Sequence, residues 1–125
     1  MLGHVNAVAN IAVRDIATAR RFYEGTLGLT PVDTEDDDFV AYRSGDSTVF
    51  VYRSDFAGTN QATALTWSVG DDLDETVRAL RDKGVAFEHY EIPGTTLEGD
   101  VHLAGDRRIA WFKDPDGNIL NVVSG

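Results

Sequence analysis

Few side chains of this 125-residue chain could take part in chemistry, and they are spread along its length. The three histidines, His4, His89 and His102, have no second histidine three or four residues away, the spacing that puts two metal ligands on one helix face. The absence of cysteine excludes a disulfide, a thiolate metal site and a thiol nucleophile. The sequence also lacks a glycine-rich phosphate loop and a nucleophile elbow. A general base or a set of hydrogen-bonding groups around a ligand remains.

Two amides occupy unusual positions, because Asn10 and Asn121 each lie among aliphatic residues of a predicted strand. A polar group in such a place needs a hydrogen-bond partner. We therefore predict that both side chains face a bound molecule. Asp114 and Asp116 differ from these amides, since they lie in the turn "DPDGN", where turn chemistry explains both carboxylates.

The chain is acidic, with 21 Asp and Glu against 11 Lys and Arg and a formal charge of −10. This charge repels nucleic acid and anionic lipid, so we expect neither a nucleic acid nor a membrane as partner. The densest acidic cluster, Asp33 to Asp38, lacks the ligand spacing of a calcium loop and is predicted to be a solvated loop. No apolar run is long enough for a transmembrane helix, and the first residues lack the basic region of a signal peptide. With no cysteine present, these features predict a cytoplasmic protein.

The positioning elements recur in the same order twice along the chain. In the first half, a strand ends before Asp15, which is the predicted N-cap of a helix that Gly25 and Gly28 end. Three strands follow, in "TPVDT", "DFVAYRS" and "STVFVYRS", the last two joined by the hairpin signal "SGDS".

The second half repeats this pattern at an offset of about 57 residues. A strand in "ATALTWSV" precedes a helix in "DDLDETVRALRDKG", for which Asp72 and Glu75 predict a capping box and Gly84 an end. Strands are predicted in "VAFEHYEI", "RRIAWFK" and "NILNVVS", with "PGTTLEGDVHLAGD" as a loop. We predict one domain covering residues 1–125, with module one at about 1–57, a linker at about 58–62 and module two at about 63–125.

Two segments, "RDIATARRFYEGTLGL" early in the chain and "WFKDPDGNILNVV" near its end, resemble the vicinal oxygen chelate superfamily. That superfamily includes glyoxalase I, extradiol dioxygenases, fosfomycin resistance proteins and bleomycin resistance proteins. The resemblance covers nearly the whole chain. It implies an α+β fold in which two tandem βαβββ modules form a curved, half-open barrel-like sheet with helices outside and a ligand cavity inside.

The same resemblance implies where metal ligands would stand in this chain. None of those positions carries a histidine or a carboxylate, so we predict no metal site and no cofactor. The matching positions are Val8, Phe50 or Tyr52, Ala64 or Thr66, and Asn121.

Strand periodicity extends the candidate site from Asn121 to other residues. If Asn121 faces the cavity, every second residue of its strand and the matching residues of neighbouring strands do so too. Aromatic residues on such a face bind flat ligands by stacking and area burial. The predicted ligand-binding residues are Asn10, Phe50, Tyr52, Thr66, Ser68, Tyr90, His102, Trp111 and Asn121.

These features predict a protein similar to bleomycin resistance members that lacks the usual metal ligands. It would bind a small organic molecule, aromatic or cationic and antibiotic-like, and the resemblance implies a homodimer. The alternative is a lyase, isomerase or dioxygenase with shifted metal ligands or a metal-free base. His102 and Glu98, in the predicted loop, are candidates for that base, although no catalytic residue is assigned. A structural partner without a ligand is a third hypothesis.

Overall fold

Strands and helices follow one another in the predicted α+β order, first in Met1–Gly58 and then in Thr59–Gly125, the two units into which the structure divides. The structure is a computed structural model and describes residues 1–32 and 36–125. It contains two α-helices and two mixed sheets, which confirms the α+β class. None of the described helices is long and apolar enough to cross a membrane.

The first unit contains a four-stranded sheet with the order β1-β4-β3-β2. Strands β1 and β4 are parallel, and the β4–β3 and β3–β2 pairs are antiparallel. The predicted hairpin at "SGDS" is confirmed, because Ser44 and Ser47 close the β3–β4 ladder across a two-residue turn. The elements are β1 Ala9–Val13, α1 Ile16–Arg20, β2 Thr30–Pro31, β3 Phe39–Ser44 and β4 Ser47–Arg53.

Helix α1 begins as predicted, since the Asp15 side chain accepts a hydrogen bond from Thr18 N at 3.0 Å. The helix then continues as a π-helical segment over Arg21–Thr26. The predicted stop at Gly25 is therefore wrong, because Gly25 lies inside this segment. The stop at Gly28 is confirmed by its φ of +78°, a conformation that glycine adopts without steric cost.

The predicted strand "TPVDT" is confirmed at its start, where Thr30–Pro31 pair with β3 opposite Arg43 and Tyr42. Residues 33 and 34 of that predicted strand, and the 33–35 part of the predicted acidic loop, lie outside the described residues.

The second unit contains a six-stranded sheet with the order β5-β10-β9-β8-β7, and β6 pairs with β9 beyond the end of β8. Strand β10 is parallel to β5 and antiparallel to β9. The elements are β5 Thr63–Ser68, α2 Leu73–Asp82, β6 Phe87–Glu88, β7 Thr96–Glu98, β8 Val101–Ala104, β9 Arg107–Lys113 and β10 Ile119–Val123.

The largest departure from the sequence prediction is in residues 93–106, which were expected to form a loop. They contain the antiparallel pair β7–β8, turning at Gly99 and Asp100. Gly99 has a φ of +62°, which suits this tight turn. The second unit thus has five strands after its helix where the module pattern predicted three.

Helix α2 is confirmed, but its predicted capping box is not formed. A 3₁₀ turn over Gly70–Asp72 precedes the helix, and the Asp72 side chain makes no capping hydrogen bond. The helix buries Leu73, Val77 and Leu80. It ends before Gly84, whose φ is +92°.

Alternation along β9 and β10 separates an apolar face from a mixed one. Ala110, Phe112, Leu120 and Val122 are all buried on one face, and with the buried stripe of α2 they supply the core of this unit. The opposite face carries Asn121 together with polar and aromatic side chains of neighbouring strands, and it positions the candidate site.

Candidate functional site

The mixed face of the second sheet brings several predicted site residues together. Asn121 lies directly opposite Trp111 on β9 and beside Thr66 on β5, so all three side chains share a face. Val123 of β10 pairs with Ser68 on one side and with Ile109 on the other, and Ile109 in turn pairs with His102. Ser68 and His102 therefore lie on the same face as Asn121. The period-two interpretation of these strands is therefore confirmed, and whether the face binds a ligand stays a prediction.

Three aromatic rings, those of Tyr90, His102 and Trp111, form what we call the aromatic cluster. The Trp111 ring centroid lies 4.8 Å from that of His102 and 5.5 Å from that of Tyr90, both in edge-to-face arrangements. The Trp111 indole N–H is satisfied, because it donates to Thr63 Oγ1 at 3.1 Å. Edge-to-face packing of this kind fixes ring orientation and adds to the stabilisation that burial supplies.

His102 lies in β8 and is 1% exposed, so its predicted place in a loop is wrong. Its Nε2 accepts the backbone N–H of Tyr90 at 3.0 Å. A ring nitrogen that accepts a hydrogen bond carries no proton, so the neutral ring has its proton on Nδ1. His102 therefore presents a donor at Nδ1 and does not serve as the base that the sequence suggested.

Three buried polar atoms around the aromatic cluster have no hydrogen-bond partner among the described residues. They are the Tyr90 hydroxyl, His102 Nδ1 and Asn121 Oδ1. An unsatisfied buried polar group costs about 1–3 kcal/mol, so native structures contain few. All three atoms belong to one unit and lie around one aromatic cluster. They could therefore form hydrogen bonds with a molecule bound there.

Tyr90 remains a neutral phenol in this setting. Burial raises the pKa of Tyr90, and the negative charge of Glu88 raises it further, against a smaller opposing effect from Lys113. The hydroxyl therefore offers both a donor and an acceptor.

An open pocket of about 630 Å³ adjoins the aromatic cluster. Tyr90 and His102 contribute to its wall, and Leu97 pairs with His102 across the β7–β8 ladder. This volume lies in the range of roughly 300–1,000 Å³ that small-molecule sites occupy. The other lining residues are His89, Glu91, Ile92, Pro93 and Thr95.

The remaining predicted site residues lie in the first unit, on one face of its sheet. Asn10 pairs with Phe50, and Tyr52 follows two residues later on the same face of β4. The Phe50 ring packs edge-to-face on Phe39 at 5.0 Å, while Tyr52 is 39% exposed. The Asn10 amide is also exposed, with a hydrogen bond to the Val8 carbonyl at 3.5 Å. The structure thus places these residues on an accessible face of the first unit's own sheet.

A polar group that the sequence analysis missed also lies at the pocket. His89 Nε2 is 2.8 Å from Asp100 Oδ1, and Arg81 donates to Asp100 Oδ2 at 2.6 Å. Asp100 lies in the β7–β8 turn. Because residues 93–106 were predicted to form a loop, the sequence analysis did not place Asp100 beside His89 and Arg81. The dipeptide Gly99-Asp100, between two short apolar runs, was the available signal. Glu98, the other suggested base, is exposed on β7 and is not among the residues lining the pocket.

The residues around Asn121 do not fit a divalent metal centre. Asn121 neighbours Trp111 and Thr66 across the ladder, and these three side chains include no histidine and no carboxylate. Across the described parts of the chain, no three His, Asp or Glu side chains group as a metal site would require.

The "DPDGN" turn has a structural explanation, as predicted. Asp114 is buried and accepts the backbone N–H groups of Asp116 and Asn118 at 3.0 and 2.8 Å. The Asn118 amide donates to the same carboxylate at 2.8 Å. Gly117 has a φ of +91°. The Asp114 carboxylate therefore holds the turn that leads into β10.

Comparisons with known proteins agree with this architecture. A family model described as Glyoxalase/Bleomycin resistance protein/Dioxygenase superfamily matches residues 2–122. No curated protein sequence matches the chain.

Solved structures resemble the chain in fold at low sequence identity. The fosfomycin resistance protein FosX from Mesorhizobium loti is 16% identical, with a TM-score of 0.70 over 100% of this chain and 94% of that one. Lactoylglutathione lyase from Agrobacterium tumefaciens is 15% identical, with a TM-score of 0.72 over 96% and 92%. A glyoxalase/bleomycin resistance protein/dioxygenase from Alicyclobacillus acidocaldarius is 17% identical, with a TM-score of 0.71 over 96% and 90%.

Proposed function

Since this chain belongs to the glyoxalase/bleomycin resistance protein/dioxygenase superfamily, we propose that it binds a small organic molecule at the aromatic cluster of its second unit. Binding would use aromatic contact and hydrogen bonds in place of metal coordination. The residues that would make these contacts are Tyr90, His102, Trp111 and Asn121.

One observation carries this proposal: three unpaired buried polar atoms surround an aromatic cluster beside a pocket of about 630 Å³. A ligand that reaches these atoms, after small side-chain movements, would relieve their unsatisfied hydrogen bonds. The aromatic rings would supply area burial for a flat molecule. Specificity would come from the polar groups of the wall, which lie beside aromatic and apolar side chains.

The chain's charge limits the class of ligand. A formal charge of −10 favours a neutral or cationic molecule over an anion. An antibiotic-like ligand is consistent with the names of relatives in fold, one of which is a fosfomycin resistance protein.

Asn10, Phe50, Tyr52, Thr66 and Ser68 remain proposed ligand contacts. Each lies on the mixed or accessible face of its own sheet, and the aromatic side chains of Phe50 and Tyr52 suit a flat molecule. A homodimer in the cytoplasm is part of the same proposal. Light scattering on the purified protein would test the dimer.

Intrinsic fluorescence provides the main test, because Trp111 belongs to the cluster and the only other tryptophan is Trp67. In a Trp67→Phe background, a panel of neutral aromatic, cationic aromatic and phosphonate compounds should include at least one neutral or cationic member that quenches Trp111 with a submillimolar Kd. Asn121→Ala and Tyr90→Ala should each weaken that compound's binding by about 10-fold, the usual cost of losing one polar or aromatic contact.

Phe56→Ala is the matched control, because Phe56 is an aromatic side chain that is 79% exposed in the first unit. It should leave the Kd unchanged. Absence of binding by every compound at millimolar concentration would contradict the proposal, as would equal weakening by Phe56→Ala.

A second candidate function, an enzyme with a metal-free base, is favoured by one observation. His89, a lining residue of the pocket, has a hydrogen bond to the Asp100 carboxylate.

A further inference from the structure

The two histidines that line the pocket are held by partners of opposite kinds. His102 Nε2 accepts a backbone N–H from Tyr90, which puts the proton of its neutral ring on Nδ1. His89 Nε2 faces Asp100 Oδ1 at 2.8 Å, and a carboxylate can only accept. The neutral His89 ring therefore carries its proton on Nε2 and has a lone pair on Nδ1. The two rings, with centroids 6.4 Å apart, thus have opposite tautomers.

The carboxylate that orients His89 is itself fixed. Arg81 donates to Asp100 Oδ2 from Nη2 at 2.6 Å and from Nε at 3.2 Å. Hydrogen bonds from His89 and then from Arg81 lower the pKa of Asp100, so it stays ionised at neutral pH. An ionised partner also stabilises the imidazolium that forms when the ring takes up a proton.

We propose that His89 is a general base in this pocket, positioned by Asp100 and Arg81, and that its substrates are small planar molecules that give up a proton to it. The proposal rests on the pocket of the proposed function, but it adds a reaction to it. Neither a metal nor a redox partner is needed, because the step is a proton transfer.

His89 is better placed for this role than the other candidates. Its Nδ1 makes no hydrogen bond to the residues that the structure describes, and its side chain is 49% exposed, so a substrate can reach it. His102 presents a buried donor, which could stabilise negative charge on a substrate but cannot accept its proton. A positioned base of this kind typically accelerates proton removal by about 10²–10⁴-fold.

A suitable probe is 5-nitrobenzisoxazole, a flat aromatic carbon acid. His89 Nδ1 would take the proton from C3 as the C3–H electrons form the nitrile triple bond. The ring N–O bond breaks, and its electrons leave on the phenolate oxygen. The imidazolium then returns the proton to water. The product, a nitrile-bearing nitrophenolate, is followed by its visible absorbance.

The second-order rate constant of the protein should exceed that of free imidazole at the same pH by at least about 100-fold. His89→Gln should lower it to the imidazole level or below. His4→Gln is the matched control, because His4 is an exposed histidine of the first unit, and it should leave the rate unchanged. A protein no faster than imidazole, or a His89→Gln variant as fast as the wild type, would overturn the proposal.

The positioning role of Asp100 has a spectroscopic test. Long-range ¹H–¹⁵N spectra of the histidine rings should show the protonated nitrogen of neutral His89 as Nε2 and that of His102 as Nδ1. Asp100→Asn should abolish the His89 preference and lower the elimination rate by about 10-fold, while circular dichroism stays unchanged. Asp100→Glu should restore part of the rate. A His89 ring with its proton on Nδ1 in the wild type would contradict the assignment.

Binding and catalysis can fail separately in these experiments. Quenching of Trp111 by a ligand without any elimination would leave the proposed binding function standing and remove the base. Elimination that depends on His89, with no panel compound bound at millimolar concentration, would support His89 as a base and contradict the proposed binding function.

Discussion

Tyr42 in the first unit and Tyr90 in the second differ in what their hydroxyl groups meet. The Tyr42 hydroxyl donates to Glu24 Oε2 at 2.7 Å, and the same oxygen accepts from Arg20 Nε at 2.8 Å. The Tyr90 hydroxyl is buried and has no partner among the described residues. Burial is the largest cause of a raised pKa in both tyrosines, and for Tyr42 the hydrogen bond to Glu24 comes second.

The difference extends to the rest of the two units. All the unpartnered buried side-chain atoms found in the described parts of the chain belong to residues of Thr59–Gly125. A buried polar group with a complete set of partners contributes to the fold, whereas one without partners is a cost that function can explain. The comparison therefore indicates a structural role for the Tyr42 network, whereas the binding role of the Tyr90 region is the one we propose above.

Removing the Tyr42 hydroxyl should have the largest effect on stability. Tyr42→Phe should lower the free energy of unfolding by about 2 kcal/mol, because the hydroxyl is hydrogen-bonded to a charged group and the ring stays in place. Urea unfolding followed by circular dichroism measures this change. Tyr52→Phe, at a 39% exposed tyrosine of the same sheet, is the control and should change stability little. A loss as small as that of the control would remove the distinction between the two units.

Replacing the Asn121 amide should have the opposite sign. Asn121→Leu keeps a similar volume and removes an unpaired buried acceptor, so the free energy of unfolding should rise by about 1 kcal/mol. The same variant should weaken ligand binding, a trade between stability and function. Chemical denaturation and the Trp111 titration measure the two effects. A clear loss of stability would mean that the amide has a structural partner after all.

The comparable change in the second unit, Tyr90→Phe, should affect stability least among these variants. With no hydrogen bond to lose, the free energy of unfolding should stay within about 0.5 kcal/mol of wild type or rise slightly. Urea unfolding of Tyr90→Phe and Tyr42→Phe under identical conditions measures the two changes in the free energy of unfolding. Equal losses for the two variants would contradict the comparison directly.

Acid should weaken the pairing of the Asp100 carboxylate with His89 and Arg81. The pKa of Asp100 is lowered below its usual value of 3.8, so its contribution to stability is present above that pH and is lost as pH falls through the lower folded value. The stability difference between wild type and Asp100→Asn should therefore shrink as the pH falls from 5 to below about 4. Thermal unfolding across this range measures it, and a difference independent of pH would exclude the ion pair as its source.

Sequence patterns were most reliable where a few neighbouring residues decide the structure. Asp15 caps α1, Gly28 and Gly84 end helices, and Gly117 takes positive φ in the turn before β10. Alternation also placed Asn121 and Trp111 on one face. In each case the signal is local, because dihedral preference or period-two geometry acts over a few residues.

The predictions failed at two helix ends and over one segment between strands. The Asp72–Glu75 box was replaced by a 3₁₀ turn, and Gly25 was absorbed into a π-helical segment. The segment 93–106 was predicted as a loop although Gly99-Asp100 is a hairpin signal, and it forms the β7–β8 hairpin, with β8 also paired to β9. That error also placed His102 in a loop and left Asp100 without a role.

The sequence by itself determined the α+β order of elements, the superfamily resemblance and the absence of histidines or carboxylates at the matched metal positions, since all three depend on residue type and spacing. Only the tertiary structure decided that His102 is a buried donor, that His89 is oriented by Asp100, and that the Tyr90 hydroxyl and Asn121 Oδ1 have no hydrogen-bond partner among the described residues. The physical reason is that hydrogen-bond satisfaction depends on which strands become neighbours. Pairing of β8 with β9 brings His102 and Trp111 into contact, although they lie on different strands of the chain.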